Sequence, residues 1–473
     1  MCREQKTAEA GCPQEDTVEP EDSVGVRSPA EPDNGEGTGA LHESILMWEN
    51  MERACKRVVK NKGASGVDGM KWTELEQYVE EKGQALIDSI RDGSYKPKPV
   101  LRCEIEKPDG GTRTLGIPTC IDRMVQQMAT QKLSEVFEPT FSNSSYGFRP
   151  GRSAQQAIMK ARELYDAGYK QVVDIDLAKY FDTVNHGMLI EMIREQVQDE
   201  QVIRLIKLFL KSGIMSSGLV SPTVEGVPQG GPLSPLLSNV YLTRFDKLLE
   251  ARGLQFVRYA DDCNIYVKSR RAALRVMEHC KSYLEGKLKL KVNEEKSAVG
   301  SPMRLKFLGF SLSQSRGTGI RPHKKAITRL MKRIRELTDR NQGHKTYQTI
   351  FAELKEYLVG WLGYYAIADM QSLMIRTDGW IRRRIRQIFW KRWKRIRTRY
   401  KSLRKLGVCQ EQACQWANTR KGYWRIAGSS VLSTTLTKER LEKNGLVNLS
   451  EIYEAKHRKF VEPPDTERYV RVV

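Results

Sequence analysis

Two adjacent carboxylates, Asp261 and Asp262, stand in Tyr259-Ala-Asp-Asp between the apolar runs Phe256-Val257 and Ile265-Tyr266-Val267. A pair between two β-rich runs falls naturally at the turn of a hairpin, where both side chains can leave an apolar sheet and face a groove. Taken alone, the motif is either a metal site or a polar turn. A third carboxylate comes from Val172-Val-Asp-Ile-Asp-Leu-Ala-Lys-Tyr-Phe-Asp182, which reads as a strand running into a turn and then a helix. Strand alternation puts Asp174 and Asp176 on one face, with Asp176 nearest the strand's end. Clustered aspartates can hold two Mg²⁺ ions about 4 Å apart, as nucleotidyl transfer requires, one ion activating the attacking hydroxyl and the other escorting a triphosphate. Asp174 itself reads as a solvated or helix-capping acid.

Two further stretches suit a nucleotide. Gly226-Val-Pro-Gln-Gly-Gly-Pro-Leu-Ser-Pro-Leu-Leu-Ser-Asn239 is a Gly/Pro-rich turn that opens a helix. Its glycines admit close approach of backbone to a base or sugar, and Gln229 offers an amide there, although any strand-to-helix loop could look the same. Ile105-Glu-Lys-Pro-Asp-Gly-Gly-Thr-Arg-Thr-Leu-Gly-Ile-Pro118 reads as a hairpin with Lys107 and Arg113 on opposite arms. Two cations beside one tight turn fit a triphosphate, while exposed hairpin charges are usually only solvated.

The elements that must position these groups follow from pattern and composition. From about Val100 to Phe310 short apolar strands, at 171–177, 256–267 and 305–312, alternate with helical stretches, which predicts a sheet backed by helices. From about Lys324 onward strand signals largely vanish and basic helices take over. Residues 1–42 are rich in Glu, Pro, Gly, Asp and Ser, and are expected to be a disordered acidic tail. The 473 residues carry a net charge of +21, so the natural partner is an extended polyanion or an anionic membrane. Residues 1–44 hold eleven acidic side chains against three basic ones, so the remainder is more basic still. No window reaches the length of a membrane span, there is no secretory signal, and the nine scattered cysteines form no disulfide or zinc pattern. The chain therefore reads as soluble and intracellular. Its six histidines never take metal-ligand spacing, which argues against an appended His-Asn-His nuclease.

Charge is densest from Ile381 to Lys405, where thirteen of twenty-five residues are Lys or Arg and none is acidic. The stretch reads as one basic amphipathic helix, in which Ile381, Ile385, Ile388 and Phe389 recur at helical spacing and supply a packing face. The basic remainder, Arg382, Arg383, Arg384 and Arg386 among it, is expected to need an external polyanion, with a membrane surface as the weaker alternative.

In this order, NKGASGVDGM, YKPKPVLRCEIEKPDGGTRTLGIP with IDRMVQQ, SSYGFRPGRSAQQA, VVDIDLAKYFDTVNH, GVPQGGPLSPLLSNVYL, RYADD, LKLKVNEEKS and LKFLGFSL resemble the reverse transcriptases encoded by bacterial group II introns over about residues 45–460. The resemblance implies an α+β right-hand polymerase fold. Fingers and palm would occupy residues 43–314, a thumb or maturase domain 315–405 and a DNA-binding domain 406–473. It implies that Asp176, Asp261 and Asp262 bind two Mg²⁺, that Lys107, Arg113 and Gln229 contact the incoming dNTP, and that Phe181 is the steric gate against a ribonucleotide, with Tyr180 the competing candidate. Phe148 and Arg149 would lie in an insertion under the fingers, structural first and template-contacting second. The partners implied are the group II intron RNA, an RNA template with a DNA primer, and target DNA, in the bacterial cytoplasm. Many members carry a C-terminal endonuclease; this chain ends without one and resembles the subclass that borrows a primer. A splicing maturase without polymerase activity, and a domesticated reverse transcriptase in repair or defence, are the competing expectations.

Overall fold

A computed structural model describes residues 39–106, 112–216, 219–221, 225–228, 230–314 and 317–461, so the expected acidic tail lies almost wholly outside the described residues. Contacts divide the chain into two compact units between Leu308 and Gly309.

The first unit holds two four-stranded sheets. One has the order β2-β1-β4-β5, built from β1 (Val100–Glu106), β2 (Thr112–Ile117), β4 (Ile214–Ser216) and β5 (Leu219–Ser221). The other has the order β6-β7-β3-β8, from β6 (Gln255–Tyr259), β7 (Asp262–Val267), β3 (Gln171–Ile175) and β8 (Ala298–Gly300). Runs of β-branched residues make the inner strands: Val172, Val173, Ile175 and Ile265 are fully buried against flanking helices. The helix Arg270–Gly286 packs on β3, and Leu233–Ala251 on β6. Thirteen of the nineteen residues of Leu233–Ala251 are buried, including Asn239 and Asp246, so its Gly/Pro-rich entrance leads into core rather than along a surface.

Among the described residues, the second unit is helical apart from the hairpin of β9 (Phe310–Leu312) and β10 (Ile320–Pro322). Its core runs from Leu330 to Tyr453, so residues on both sides of position 405 share one apolar cluster. Ile381, Ile385 and Ile388 are buried in that cluster as their spacing predicts.

Two expectations about secondary structure are corrected. The 305–312 run is not one strand of the larger sheet: Leu308 and Gly309 take φ values of 50° and 80°, and only Phe310–Leu312 is extended, pairing with β10. The fourth place beside β3 goes to Ala298–Gly300. Nor is Ile381–Lys405 a single helix, because Gln371–Arg392 ends at Trp393 and a new helix starts at Ile396.

Candidate active site

β3 and β7 run antiparallel with Asp174 opposite Asn264 and Ile175 opposite Cys263, so the next step of the same register sets Asp176 beside Asp262. The β6–β7 hairpin closes with Tyr259 opposite Asp262, leaving Ala260 and Asp261 as its two-residue turn. Asp174, Asp176 and Asp262 thus share one face of the sheet, and Asp261 stands at its end. Backbone contacts fix the far end of β3. The Asp176 N–H donates to Ser297 Oγ at 3.1 Å, and its carbonyl accepts from the Asn293 N–H at 2.8 Å. Lys296 Nζ lies 3.9 Å from Asp176 Oδ1. Asn293, Lys296 and Ser297 belong to the block LKLKVNEEKS, residues 288–297, which the resemblance includes without giving any of its residues a part in the site.

The electrostatics are those of crowded negative charge. Asp262 is open to solvent on one side, yet its carboxyl is pushed up to about 7 by desolvation and then by Asp261, Asp174 and Asp176, with Lys306 opposing. Asp174 is raised to about 6 by burial, against a 2.9 Å hydrogen bond from Asn264 Nδ2, with Asp176 adding to the rise. The solvated or capping role expected for Asp174 is therefore incorrect; it is a half-buried member of the cluster, held by a strand neighbour. Among the described residues no group of three or more His, Cys, Asp or Glu is already closed into a metal shell. The donor set nevertheless fits a hard divalent cation, because carboxylate oxygens are its preferred ligands and a cation would relieve the repulsion that raises Asp262.

On the nucleotide side, the structure separates the two gate candidates. Tyr180 is 2% exposed, with its hydroxyl donating to the Ser238 carbonyl at 3.0 Å, so it belongs to the core. Phe181 is 9% exposed, at the edge of that core. Its carbonyl accepts from the Val227 N–H at 2.6 Å, which ties it to the Gly/Pro-rich loop. Gly226 is required there: its φ is 87°, and a Cβ would meet the Phe181 carbonyl oxygen at 2.8 Å. Lys107, Gln229 and the Arg113 side chain lie outside the described residues.

Phe148 and Arg149 part company. Phe148 is 52% exposed at φ 59°, its ring 6.3 Å from that of Tyr259. Arg149 is buried, pairs with Glu138 at 2.7 Å, donates to the Ser142 and Ser145 carbonyls and lies over the Phe141 ring. A guanidinium so engaged is not available to a template, and its contact with nucleic acid is withdrawn.

The basic helix is corrected in the same way. Arg383 donates to the Trp424 carbonyl and stacks over the Trp424 ring at 4.1 Å. Arg384 donates to Thr338 Oγ1 and to the carbonyls of Arg335 and Thr338, at the C-terminal end of the helix Lys324–Leu337. Arg386 donates to the Leu436 carbonyl at the end of Ser430–Thr435. Arg384 and Arg386 thus satisfy orphan carbonyls at the negative ends of neighbouring helices. Desolvation accordingly pushes Arg384 and Arg386 below their ordinary pKa. The charge density here is explained by folding, contrary to expectation. Of the four, Arg382 alone has no hydrogen bond or ion pair among the described residues. Exposed charge lies further on: Lys394, Arg395, Arg397, Lys401 and Lys405 are exposed, and among the described residues their side chains make no hydrogen bond or ion pair.

Comparison with known proteins bears on both units. The model of the family "Reverse transcriptase (RNA-dependent DNA polymerase)" matches residues 105–312, and that of "Group II intron, maturase-specific domain" matches 327–407. Protein YkfC of Escherichia coli is 34% identical over 295 residues, covering 54% of this chain and 77% of YkfC. The group II intron-encoded protein LtrA of Lactococcus lactis is 30% identical over 347 residues, covering 59% of this chain and 58% of LtrA. A putative COX1/OXI3 intron 1 protein of Saccharomyces cerevisiae is 27% identical, covering 52% of this chain and 35% of that protein. The chain thus spans little more than half of LtrA's length.

Proposed function

The chain belongs to the group II intron-type reverse transcriptase/maturase family, and from that premise we propose that it extends a DNA primer along an RNA template with dNTPs, using Asp176, Asp261 and Asp262 as the ligands of two Mg²⁺. The observation that carries this reading is the convergence of three carboxylates, from β3 and the β6–β7 turn, on one sheet end where burial and the charges of Asp261 and Asp176 disfavour ionisation of Asp262. Bound Mg²⁺ would supply an activated 3′-hydroxyl and neutralise the triphosphate. The chain's own contribution is position: Ser297 Oγ accepts from the Asp176 N–H, the Asn293 N–H donates to the Asp176 carbonyl, and the β3–β7 register sets Asp262 beside Asp176. Asp174, tied to Asn264, keeps a further negative group behind the ligands.

Phe181 is the residue placed to read the sugar, since Tyr180 is locked in the core by Ser238. Lys107, Arg113 and Gln229 complete the nucleotide site in this reading, and Phe148, exposed beside Tyr259, meets the template. Intron RNA binding, and with it splicing assistance and insertion into target DNA, falls to the exposed cations of residues 394–405 rather than to the arginines at 383, 384 and 386.

Primer extension on an RNA template tests the reading. Asp261→Ala and Asp262→Ala are expected to lose extension by roughly a thousandfold or more while still binding primer and template, because a lost ligand removes both positioning and charge neutralisation. Near-normal extension by either variant sinks the assignment. Phe181→Val should admit ribonucleotides with a smaller loss of rate; discrimination that survives it unchanged removes Phe181 from the gate.

A further inference from the structure

One residue before the Tyr-Ala-Asp-Asp motif, Arg258 is 1% exposed and paired with Asp246, itself fully buried. Its Nε and Nη2 donate to the two Asp246 oxygens at 2.7 and 2.5 Å. Its Nη1 donates to Asn239 Oδ1 at 3.0 Å and to the Ala260 carbonyl at 2.9 Å. Asn239 Nδ2 in turn donates to the Gly147 carbonyl at 2.8 Å. Gly147 lies directly against the turn, where a Cβ would stand 2.3 Å from Ala260 N. Residues 144–146 cover the outer edge of β6: the Arg258 N–H donates to the Ser144 carbonyl and the Tyr146 N–H to the Arg258 carbonyl, both at 2.8 Å.

The turn so enclosed is strained. Ala260 takes φ 56° at the first position of a two-residue hairpin, a conformation that ordinarily selects glycine. A side chain that prefers another region must be held there by its surroundings. Arg258 pulls on the Ala260 carbonyl from within the sheet, and the Gly147 backbone closes the space beside the Ala260 nitrogen. A buried ion pair is a weak source of net stability, since well-packed apolar replacements commonly do as well. What Asp246 secures is the orientation of a guanidinium whose remaining donors reach the turn. We infer that Arg258, Asp246, Asn239 and Gly147 form a clamp that sets the Ala260–Asp261 turn, making Arg258 and Asn239 positioning residues for nucleotidyl transfer.

The inference rests on the polymerase reading, which the wild-type protein tests in the same assay. The double variant Arg258→Met/Asp246→Leu removes both buried charges together, so the fold is kept while the hold on Ala260 is lost. It should melt no lower than wild type and bind primer and template within about twofold, yet extend a primer in a single turnover at least about tenfold more slowly, the scale that small misplacements of reacting groups produce. The Mg²⁺ concentration for half-maximal rate should rise, and in metal-free protein the amides of residues 260–262 should exchange faster. Adding Ala260→Gly to the double variant should restore several-fold of the lost rate, because glycine adopts φ 56° without restraint. A purely structural pair would show no such rescue. Asn239→Ala, which keeps the ion pair, carries the same test if the double variant does not fold. Wild-type rate and Mg²⁺ dependence, a fall in affinity that matches the fall in rate, or failure of Ala260→Gly to rescue each overturns the clamp. An inactive wild-type protein condemns the polymerase reading instead.

Discussion

The sheet end and the basic helices are both sites of crowded like charge, and they resolve it in opposite ways. At the sheet end, burial and then the neighbouring carboxylates raise the cost of ionising Asp262 and Asp174, and Lys306 offsets it only in part. In the helical unit the arginines at 383, 384 and 386 are individually engaged by carbonyls and rings, and the positive charge is distributed through the packing. Uncompensated charge marks a place prepared for a counter-ion, whereas compensated charge marks architecture. A count of Lys and Arg along a helix does not distinguish the two.

The comparison breaks most sharply on nucleic acid binding. Replacing Lys394, Arg395, Arg397 and Lys401 by Ala should lower the log-log salt slope for structured intron RNA by roughly 3, at about 0.7 to 0.9 per lost phosphate contact, with the melting temperature little changed. A filter-binding salt titration that shows no change in slope removes that surface from the RNA interface. The complementary change is Arg384→Gln, which leaves the carbonyls of Arg335 and Thr338 without their donor. It should cost about 1–3 kcal/mol of stability in denaturant unfolding while the RNA salt slope stays as it was. A weakened slope at unchanged stability would return Arg384 to the phosphate-binding set.

A smaller effect concerns the acidic side. Both resolved shifts at the sheet end are upward, Asp262 to about 7 and Asp174 to about 6, so the folded state binds these protons more tightly than the unfolded chain does. Their contribution to stability is present at low pH and is lost as pH rises through those values, because the unfolded state then holds fewer protons than the native one. Metal-free protein should melt lower at pH 8 than at pH 5.5, and Mg²⁺ should raise the melting temperature more at pH 8. A metal-free melting temperature that rises across that interval would show that repulsion among these aspartates is not what sets it.

Much of the active site is legible in the chain because it depends on local geometry. A period of two puts Asp174 and Asp176 on one face, and an Asp-Asp pair between β-branched runs falls at a hairpin turn. The family's blocks point to the proposed metal ligands for the same reason, since each is a short stretch with its own backbone signature. Helix periodicity likewise places Ile381, Ile385 and Ile388 in a core before any neighbour is known.

What tertiary structure alone decides is the environment of each charge. Asp174 looks like a solvated acid until β7 brings Asn264 beside it from ninety residues away. Arg384 looks like a phosphate ligand until the end of a neighbouring helix occupies its donors, and the structural reading of Arg149 gains its partners only when Glu138 and the Ser142 and Ser145 carbonyls are in place. Tyr180 and Phe181 are adjacent aromatics in the sequence, and the Ser238 carbonyl distinguishes them. Periodicity determines which way a side chain points, because that follows from φ and ψ. Whether a donor is free follows from which distant groups come within hydrogen-bond reach, and that is a property of the assembled fold.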